Sequence, residues 1–418
     1  MSFKQLGLCK DLLGAVALAG YEIPTDIQAR AIPVIFKGQD LLAQSKTGSG
    51  KTASFVLPAL QLVEDSPESL RKTIKVLILT PTRELGRQVA DVVKIFGRNL
   101  ARPPRVILLI GGLNIDLQVR NLHHGADIAV ATPGRLLDLA RRQVLDLAAL
   151  KLLVVDEADK MFDMGFAQEL QEVLATLPLR RQNVLFSATM PDTVLTLMQP
   201  FMRDPVTVKV QDDIPTVNRI QQRAIVVNRT NRGPLLRHLI MTEGWGHVLV
   251  FVATVQGADV LTVKLRKAGI LATSLHGGMT QAQRELALHD FKVRTVKVLV
   301  ATDIMARGIH IEKLAYVVNY DLPRSPNDYI HRIGRTARAG LSGVAVSFIG
   351  HEDVAHFALI EKRIHQRLPR EQVPGFELTG EALPRVTGQA PVKGHRMSRK
   401  DKARALANHQ QMPPIGHV

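Results

Sequence analysis

The chain has 418 residues, with 54 Lys+Arg against 38 Asp+Glu, a formal net charge of +16 and a pI near 10.1. Hydrophobic residues make up 46%, which excludes a disordered chain, and at roughly 100–200 residues per domain the length predicts two or three domains. The one cysteine, Cys9, excludes an internal disulfide and a cysteine-rich zinc site, no apolar run approaches the ~18 residues that span a bilayer, and the N-terminus shows no signal peptide.

These exclusions leave a soluble protein suited to the reducing cytoplasm, and its positive charge points to a polyanionic partner. The charge is uneven: residues 1–205 hold 24 Lys+Arg and 21 Asp+Glu, whereas residues 206–418 hold 30 and 17. Short apolar runs predict strands at 40–43, 76–79, 106–110, 128–130, 152–155 and 184–186 in the first half. In the second half they lie at 248–251, 298–300, 316–318 and 344–346. Continuous rather than alternating apolar runs are what a parallel strand buried on both faces requires. With helical stretches between them, each half reads as an open α/β parallel sheet, a duplication at the level of fold without a short sequence repeat. The expected division is a first domain at 1–205, a linker at 206–217, a second domain at 218–375 and a basic tail at 376–418. Residues 388–418 of that tail carry six Lys+Arg and one Asp, and the tail is read as mobile, with helical pattern around 398–407.

In open α/β sheets ligands bind beyond the carboxyl ends of the strands, so the residues just after each apolar run are the candidates for chemistry. After the first comes Ser45-Lys46-Thr47-Gly48-Ser49-Gly50-Lys51-Thr52, leading into a helical pattern. It fits a phosphate loop except that Ser45 replaces the first glycine. Glycines let the backbone N–H groups curl towards phosphate oxygens at a helix N-terminus. Lys51 would neutralise the β and γ phosphates, and the Thr52 hydroxyl would hold Mg²⁺. An ordinary Gly-Ser turn is the alternative, and the strand–loop–helix context speaks against it. After 152–155 comes Asp156-Glu157-Ala158-Asp159. An acidic residue ending a buried strand is a natural magnesium partner, and a second can position the attacking water.

This tetrad resembles the signature of the DEAD-box RNA helicases of superfamily 2, and the resemblance runs from residue 3 to about 350. It implies two tandem RecA-like domains, an RNA-stimulated ATPase, the cofactors ATP and Mg²⁺, and RNA as partner. It also implies roles residue by residue. Phe3, Tyr21, Thr25 and Gln28 fit the segment that reads adenine. Arg83 of Pro81-Thr82-Arg83-Glu84-Leu85, Gly111 and Gly112, and Thr132 and Arg135 of Thr132-Pro133-Gly134-Arg135 fit segments that grip RNA. Asp159 with Ser187 and Thr189 of Ser187-Ala188-Thr189 fits the coupling of hydrolysis to strand separation. In the second half, His276, Gly277 and Arg284 are similar to RNA-contacting positions. Thr302, Asp303 and His310 fall in the motif that meets RNA and the ATP ribose. Arg335 and Arg338 of the segment His331–Arg338 match arginine fingers, a role that planar guanidinium groups suit. With Lys51 and Glu157 they make the expected catalytic set.

Three positions depart from the family pattern. His310 stands where an aspartate usually contacts the ribose. Neutral imidazole accepts one hydrogen bond and donates one, whereas a carboxylate accepts two hydroxyls. A weakened ribose contact and a raised ATP KM are therefore expected, relieved by His310→Asp. Ala337 and Met305 replace a usual glycine and alanine, apolar changes that keep the loops. The segment 372–377 is similar to the bacterial RhlE-like branch, which implies ribosomal particles or ribonucleases as partners of a monomer. Aromatic residues are 4%, so backbone gripping is expected over base stacking. An RNA scaffold with ATPase-timed release and a DNA translocase are the competing readings, and the DEAD tetrad speaks against the latter.

Overall fold

The computed structural model describes residues 2–46, 48–66, 73–210, 220–303, 314–336 and 343–380. The first sheet comprises β1 (Leu41–Gln44), β2 (Val76–Leu79), β3 (Val106–Leu109), β4 (Ile128–Ala131), β5 (Leu152–Asp156), β6 (Gln182–Ser187) and β7 (Val206–Lys209). The second comprises β8 (Ile220–Val226), β9 (Val248–Phe251), β10 (Ala272–Leu275), β11 (Val298–Ala301), β12 (Tyr316–Asn319), β13 (Gly343–Ile349) and β14 (Arg370–Glu371). Every pairing is parallel. The first sheet runs β3-β4-β2-β5-β6-β1-β7 and the second β10-β11-β9-β12-β13-β8-β14. Taking seven from each label of the second order returns the first, so the duplication holds strand for strand.

Most of the continuous apolar runs became central strands, as both-face burial demands: every residue of β2, β4, β5, β6, β9 and β11 is buried, whereas the run at 106–110 became edge strand β3, buried at alternate residues. Two apolar clusters cover the two faces of the first sheet, one built on Phe55, Val76, Val154 and Phe186, the other on Leu77, Leu153, Val155 and Leu185. The second sheet is packed by three more. In one of them the chain's single tryptophan, Trp245, is fully buried, stacks on Tyr316 with ring centroids 4.7 Å apart, and donates to Glu243 Oε2 at 3.0 Å. Residues 1–378 form one compact unit holding both sheets. No helix among the described residues is long and apolar enough to cross a membrane.

Two expected boundaries move. Val206–Lys209, assigned to the linker, is edge strand β7, in register with Leu41–Gln44. Its alternating sequence Val-Thr-Val-Lys is what an edge strand with one solvated face carries. The tail expected from 376 starts later, because Phe376 packs beside the second sheet and meets the His238 ring at 5.3 Å, and Leu378 packs under the same sheet. Residues 211–219 and 381–418, which hold most of the expected linker and tail, lie outside the described residues.

Candidate active site between the two sheets

The strand order sorts the motifs. β5, β6 and β1 are neighbours, so the segments after them, Asp156–Asp159, Ser187–Thr189 and the loop 45–52, converge at one half of the sheet's carboxyl edge. β3, β4 and β2 form the other half and carry Gly111-Gly112, Thr132–Arg135 and Arg83.

At the first half, helix Lys51–Glu64 starts directly from Gly50, which sits at φ 97°. A Cβ on Gly50 would lie 2.6 Å from Gln28 Nε2, so only glycine fits. Gln28 is fully buried; its Nε2 donates to the Gly50 carbonyl at 3.2 Å and its Oε1 accepts from Thr25 N at 2.9 Å. Thr25 and Gln28 thus form the capping box of helix Asp26–Phe36 while gripping the loop. Phe3 is buried and meets the exposed Tyr21 ring edge-on at 6.5 Å. Within the loop Ser45 and Ser49 share a hydroxyl hydrogen bond of 2.9 Å, and Ser49 donates to the Lys46 carbonyl at 2.8 Å. Gly48 has φ 83°. Thr47 lies outside the described residues.

Asp156 and Glu157 are 3% and 5% exposed. Glu157 sits at φ 53°, in the left-handed region, a conformation that costs a side-chain-bearing residue roughly 1–2 kcal/mol and gathers at functional sites. Burial, and then the Glu157 charge, push the Asp156 carboxyl up to about 7. Burial alone would raise Glu157 too, but the Lys160 and Lys51 ammonium groups outweigh it and hold Glu157 below the usual carboxylate range. Lys160 Nζ donates to Glu157 Oε2 at 2.5 Å. Asp159 accepts from Thr189 N at 3.0 Å and Thr189 Oγ1 at 2.9 Å, and its own N–H donates to Ser187 Oγ at 3.1 Å. The tetrad and the Ser187–Thr189 segment are therefore physically joined.

The second sheet brings its helix Pro326–Ile333 and the residues after it to the same place. Arg335, 3% exposed, helps to lower Glu157. Burial, then Lys160, lower the His331 imidazole. Asp303 is held by Arg332 through two bonds, Nε to Oδ1 at 2.6 Å and Nη2 to Oδ2 at 2.7 Å. Arg332 also donates to Asn319 Oδ1 and the Asp321 carbonyl. His310, Arg338, Met305 and Ala337 lie outside the described residues.

At the other half, Thr82 caps helix Arg83–Gly97 by accepting from Leu85 N at 3.2 Å, which aims Arg83 across Gly111 and Gly112. A Cβ on Gly112, itself at φ 78°, would lie 2.3 Å from Arg83 Nη1. Burial, then the Arg284 charge, lower the Arg83 guanidinium. Arg135 donates to the Leu113 carbonyl at 3.2 Å. Duplication places the second-sheet residues in matching positions. Thr132 N donates to Leu109 O beyond β4, and Thr302 N to Leu275 O beyond β11. Gly111-Gly112 lies after β3, and Gly277-Gly278 after β10. His276 Nε2 lies 2.8 Å from Asp259 Oδ1, and Arg284 Nη2 donates to the Gly277 carbonyl at 3.0 Å. Arg284 also reaches Glu84 Oε1 of the first sheet at 3.4 Å.

Two polar atoms here, Lys51 Nζ and Asp156 Oδ1, are buried without a hydrogen-bond partner. Leaving such groups unmet costs several kcal/mol. A polyphosphate carrying a divalent cation would meet both, the phosphate oxygens accepting from Lys51 and the cation taking Asp156 and the Thr52 hydroxyl. No group of three or more His, Cys, Asp or Glu able to hold a metal occurs among the described residues. A cation with few protein ligands and the remainder from phosphate and water is the usual magnesium arrangement. Sequence reasoning misses Lys160 and His331. Lys160 lies three residues after Glu157 on the helix starting at Ala158, a spacing that could have flagged it, whereas His331 comes from the other sheet.

The DEAD/DEAH box helicase family matches residues 25–197, and the helicase conserved C-terminal domain matches residues 232–340. The chain is 40% identical over 374 residues to the RNA helicase CrhR of Synechocystis, covering 89% of this chain and 75% of that protein. It is 35% identical to the DEAD-box ATP-dependent RNA helicase CshA of Geobacillus kaustophilus, covering 92% and 81%. Among solved structures, S. cerevisiae Dbp5 bound to RNA and ADP BeF3 is similar with a TM-score of 0.79 at 34% identity, covering 89% of this chain and 95% of that one. A DEAD box protein from Methanococcus jannaschii scores 0.51 at 37% identity, covering 89% and 99%. Its motifs in family order, its duplicated sheet and these likenesses agree: the chain belongs to the DEAD-box family of ATP-dependent RNA helicases.

Proposed function

We propose that this helicase works as an ATP-gated RNA clamp in which each site residue has a distinct role. The observation that carries the reading is the buried, unmet pair Lys51 Nζ and Asp156 Oδ1 beside a Glu157 on which Arg335 of the other sheet acts. Lys51 and the N–H groups of the described loop residues bind the phosphates, and Thr52 and Asp156 would hold Mg²⁺. Bound there, the cation would neutralise phosphate charge. Glu157, kept ionised by Lys160 and Lys51, orients the attacking water. Arg335 faces the γ-phosphate from the second domain, so turnover requires the cleft to close; the family resemblance gives Arg338 the same role. Phe3, Tyr21, Thr25 and Gln28 recognise the base.

Arg83, Gly111, Gly112, Thr132, Arg135, His276, Gly277, Arg284 and Thr302 line the path of the RNA backbone. Contacts to phosphates and 2′-hydroxyls give little sequence preference and strong salt dependence. Two lobes closing on one strand bend it out of duplex geometry, which separates a short helix locally, and hydrolysis then releases the strand. The likeness to Dbp5 bound to RNA and ADP BeF3, at a TM-score of 0.79, supports this reading. We infer a cytoplasmic monomer acting on structured RNA of ribosomal particles or of RNA turnover.

The test is the ATPase rate with RNA, with DNA and with neither. RNA alone should stimulate, and equal stimulation by DNA would sink the RNA-specific reading. Glu157→Gln should lower kcat by about 10²–10⁴-fold while ATP still binds; normal turnover in that variant would remove Glu157 from its role. Hydrolysis without strand separation would favour the scaffold.

A further inference from the structure

Helix Arg83–Gly97 of the first sheet and helix Gln281–Lys292 of the second face one another with reciprocal charges. Glu84 meets Arg284 at 3.4 Å, and one turn further along the first helix Arg87 Nη2 meets Oε1 of Glu285, the residue after Arg284, at 2.7 Å. The Glu285 carboxylate is oriented from its own helix, because Gln281 Nε2 donates to the same Oε1 at 3.0 Å. Arg87 and Glu285 are 34% and 42% exposed at the side chain, so the pair is partly solvated, and neither residue is in the set assigned to RNA. Neither residue touches the nucleotide end. An ion pair between two bodies exists only while they are together, and it adds to the free energy of that state alone.

We propose that Arg87 and Glu285 are positioning residues that latch the two lobes together and lengthen the time for which RNA is held. The proposal rests on the clamp reading. The latch acts without contacting RNA, through helix 281–292, which also carries Arg284 of the RNA path. Being partly solvated, the pair has the modest strength of exposed ion pairs, and salt weakens it.

The experiment uses the full chain and its Arg87→Glu, Glu285→Arg and Arg87→Glu/Glu285→Arg variants. RNA-stimulated ATPase is titrated with RNA, and release of a labelled RNA is timed in a non-hydrolysable ATP analogue. Each single reversal sets like charges face to face and should raise both the half-saturating RNA and the release rate about 2- to 5-fold. The kcat at saturating RNA should stay unchanged. The double reversal should return both quantities to near the unmodified values. The ratio of each single variant to the unmodified chain should shrink as salt is raised within the range where RNA still binds. Singles indistinguishable from the unmodified chain, or a double as impaired as the sum of the singles, would overturn the latch. If Arg87 instead gripped RNA, Arg87→Glu would weaken binding, Glu285→Arg would not, and the double reversal would bring no rescue. An unmodified chain that RNA fails to stimulate would overturn the clamp, and the latch with it, a result distinct from unaltered singles.

Discussion

Asp156 illustrates how a residue is held ready at a cost. Its carboxyl is raised from 3.8 to about 7, by burial and then by Glu157. Between those limits the folded chain carries one more proton than the unfolded, so this residue's contribution to stability falls as pH rises from about 4 to about 7. Asp156→Asn removes the cost. In the nucleotide-free protein it should add on the order of 2–4 kcal/mol at pH 8 and roughly 1–2 kcal/mol at pH 5, while abolishing turnover. Urea unfolding at the two pH values checks it, and a gain that did not shrink at pH 5 would contradict the assigned shift. Gly112 makes a second residue-scale case. Its positive φ and the Arg83 guanidinium across it leave no room for a Cβ. Gly112→Ala should displace Arg83 and raise the half-saturating RNA concentration several-fold with the ATP KM unchanged, as an ATPase titration would read.

The duplicated strand order has a consequence at the scale of elements. Helix Lys51–Glu64 comes after β1, and Lys51 faces Asp156 at the end of β5. Helix Arg232–Thr242 comes after β8, the counterpart of β1, and its first residue, Arg232, pairs with Asp321 beyond β12, the counterpart of β5, at 3.0 Å. Arg232 is 2% exposed and also meets Asp353. In the first sheet the cation Nζ and the carboxylate Oδ1 make no hydrogen bond; in the second the cation and carboxylate close on each other. Arg232→Met leaves Asp321 and Asp353 without their shared cation and should cost about 3–5 kcal/mol, measured as a fall in the denaturation midpoint.

Legibility obeyed the same physics. Val76–Leu79 and Leu152–Val155 announce themselves because both faces are buried. Ile220–Val226 does not, since Gln221, Gln222 and Arg223 interrupt it. Gln222 accepts from Tyr329 Oη, and Arg223 pairs with Glu243 and Glu371. Ala272–Leu275 carries Thr273 and Ser274 in an edge strand. The motifs around Lys51, Asp156 and Arg335 could be read in line. The grouping of Asp159 with Ser187 and Thr189 came from the family resemblance, and the fold supplies its hydrogen bonds; the joining of Asp303 to Arg332 and of Arg87 to Glu285 could not be read, because each pair meets only through tertiary structure.

Over the whole molecule, charge is unevenly divided. Residues 1–205 are nearly balanced, and the terminal segment 388–418 holds six Lys+Arg against one Asp. Removing 388–418 should weaken RNA binding and flatten its salt dependence, while sparing the maximal ATPase rate at saturating RNA. Lost turnover under saturation would make the segment part of the catalytic apparatus instead. The buried Trp245, stacked on Tyr316 and bonded to Glu243, gives the two lobes different visibility. Excited where tyrosine does not absorb, the protein emits from its second lobe alone. A fluorescence melt therefore tracks that lobe while the first unfolds in the dark. Set beside a circular-dichroism melt, which sees the helices of both, it reads whether the halves come apart in one step or two.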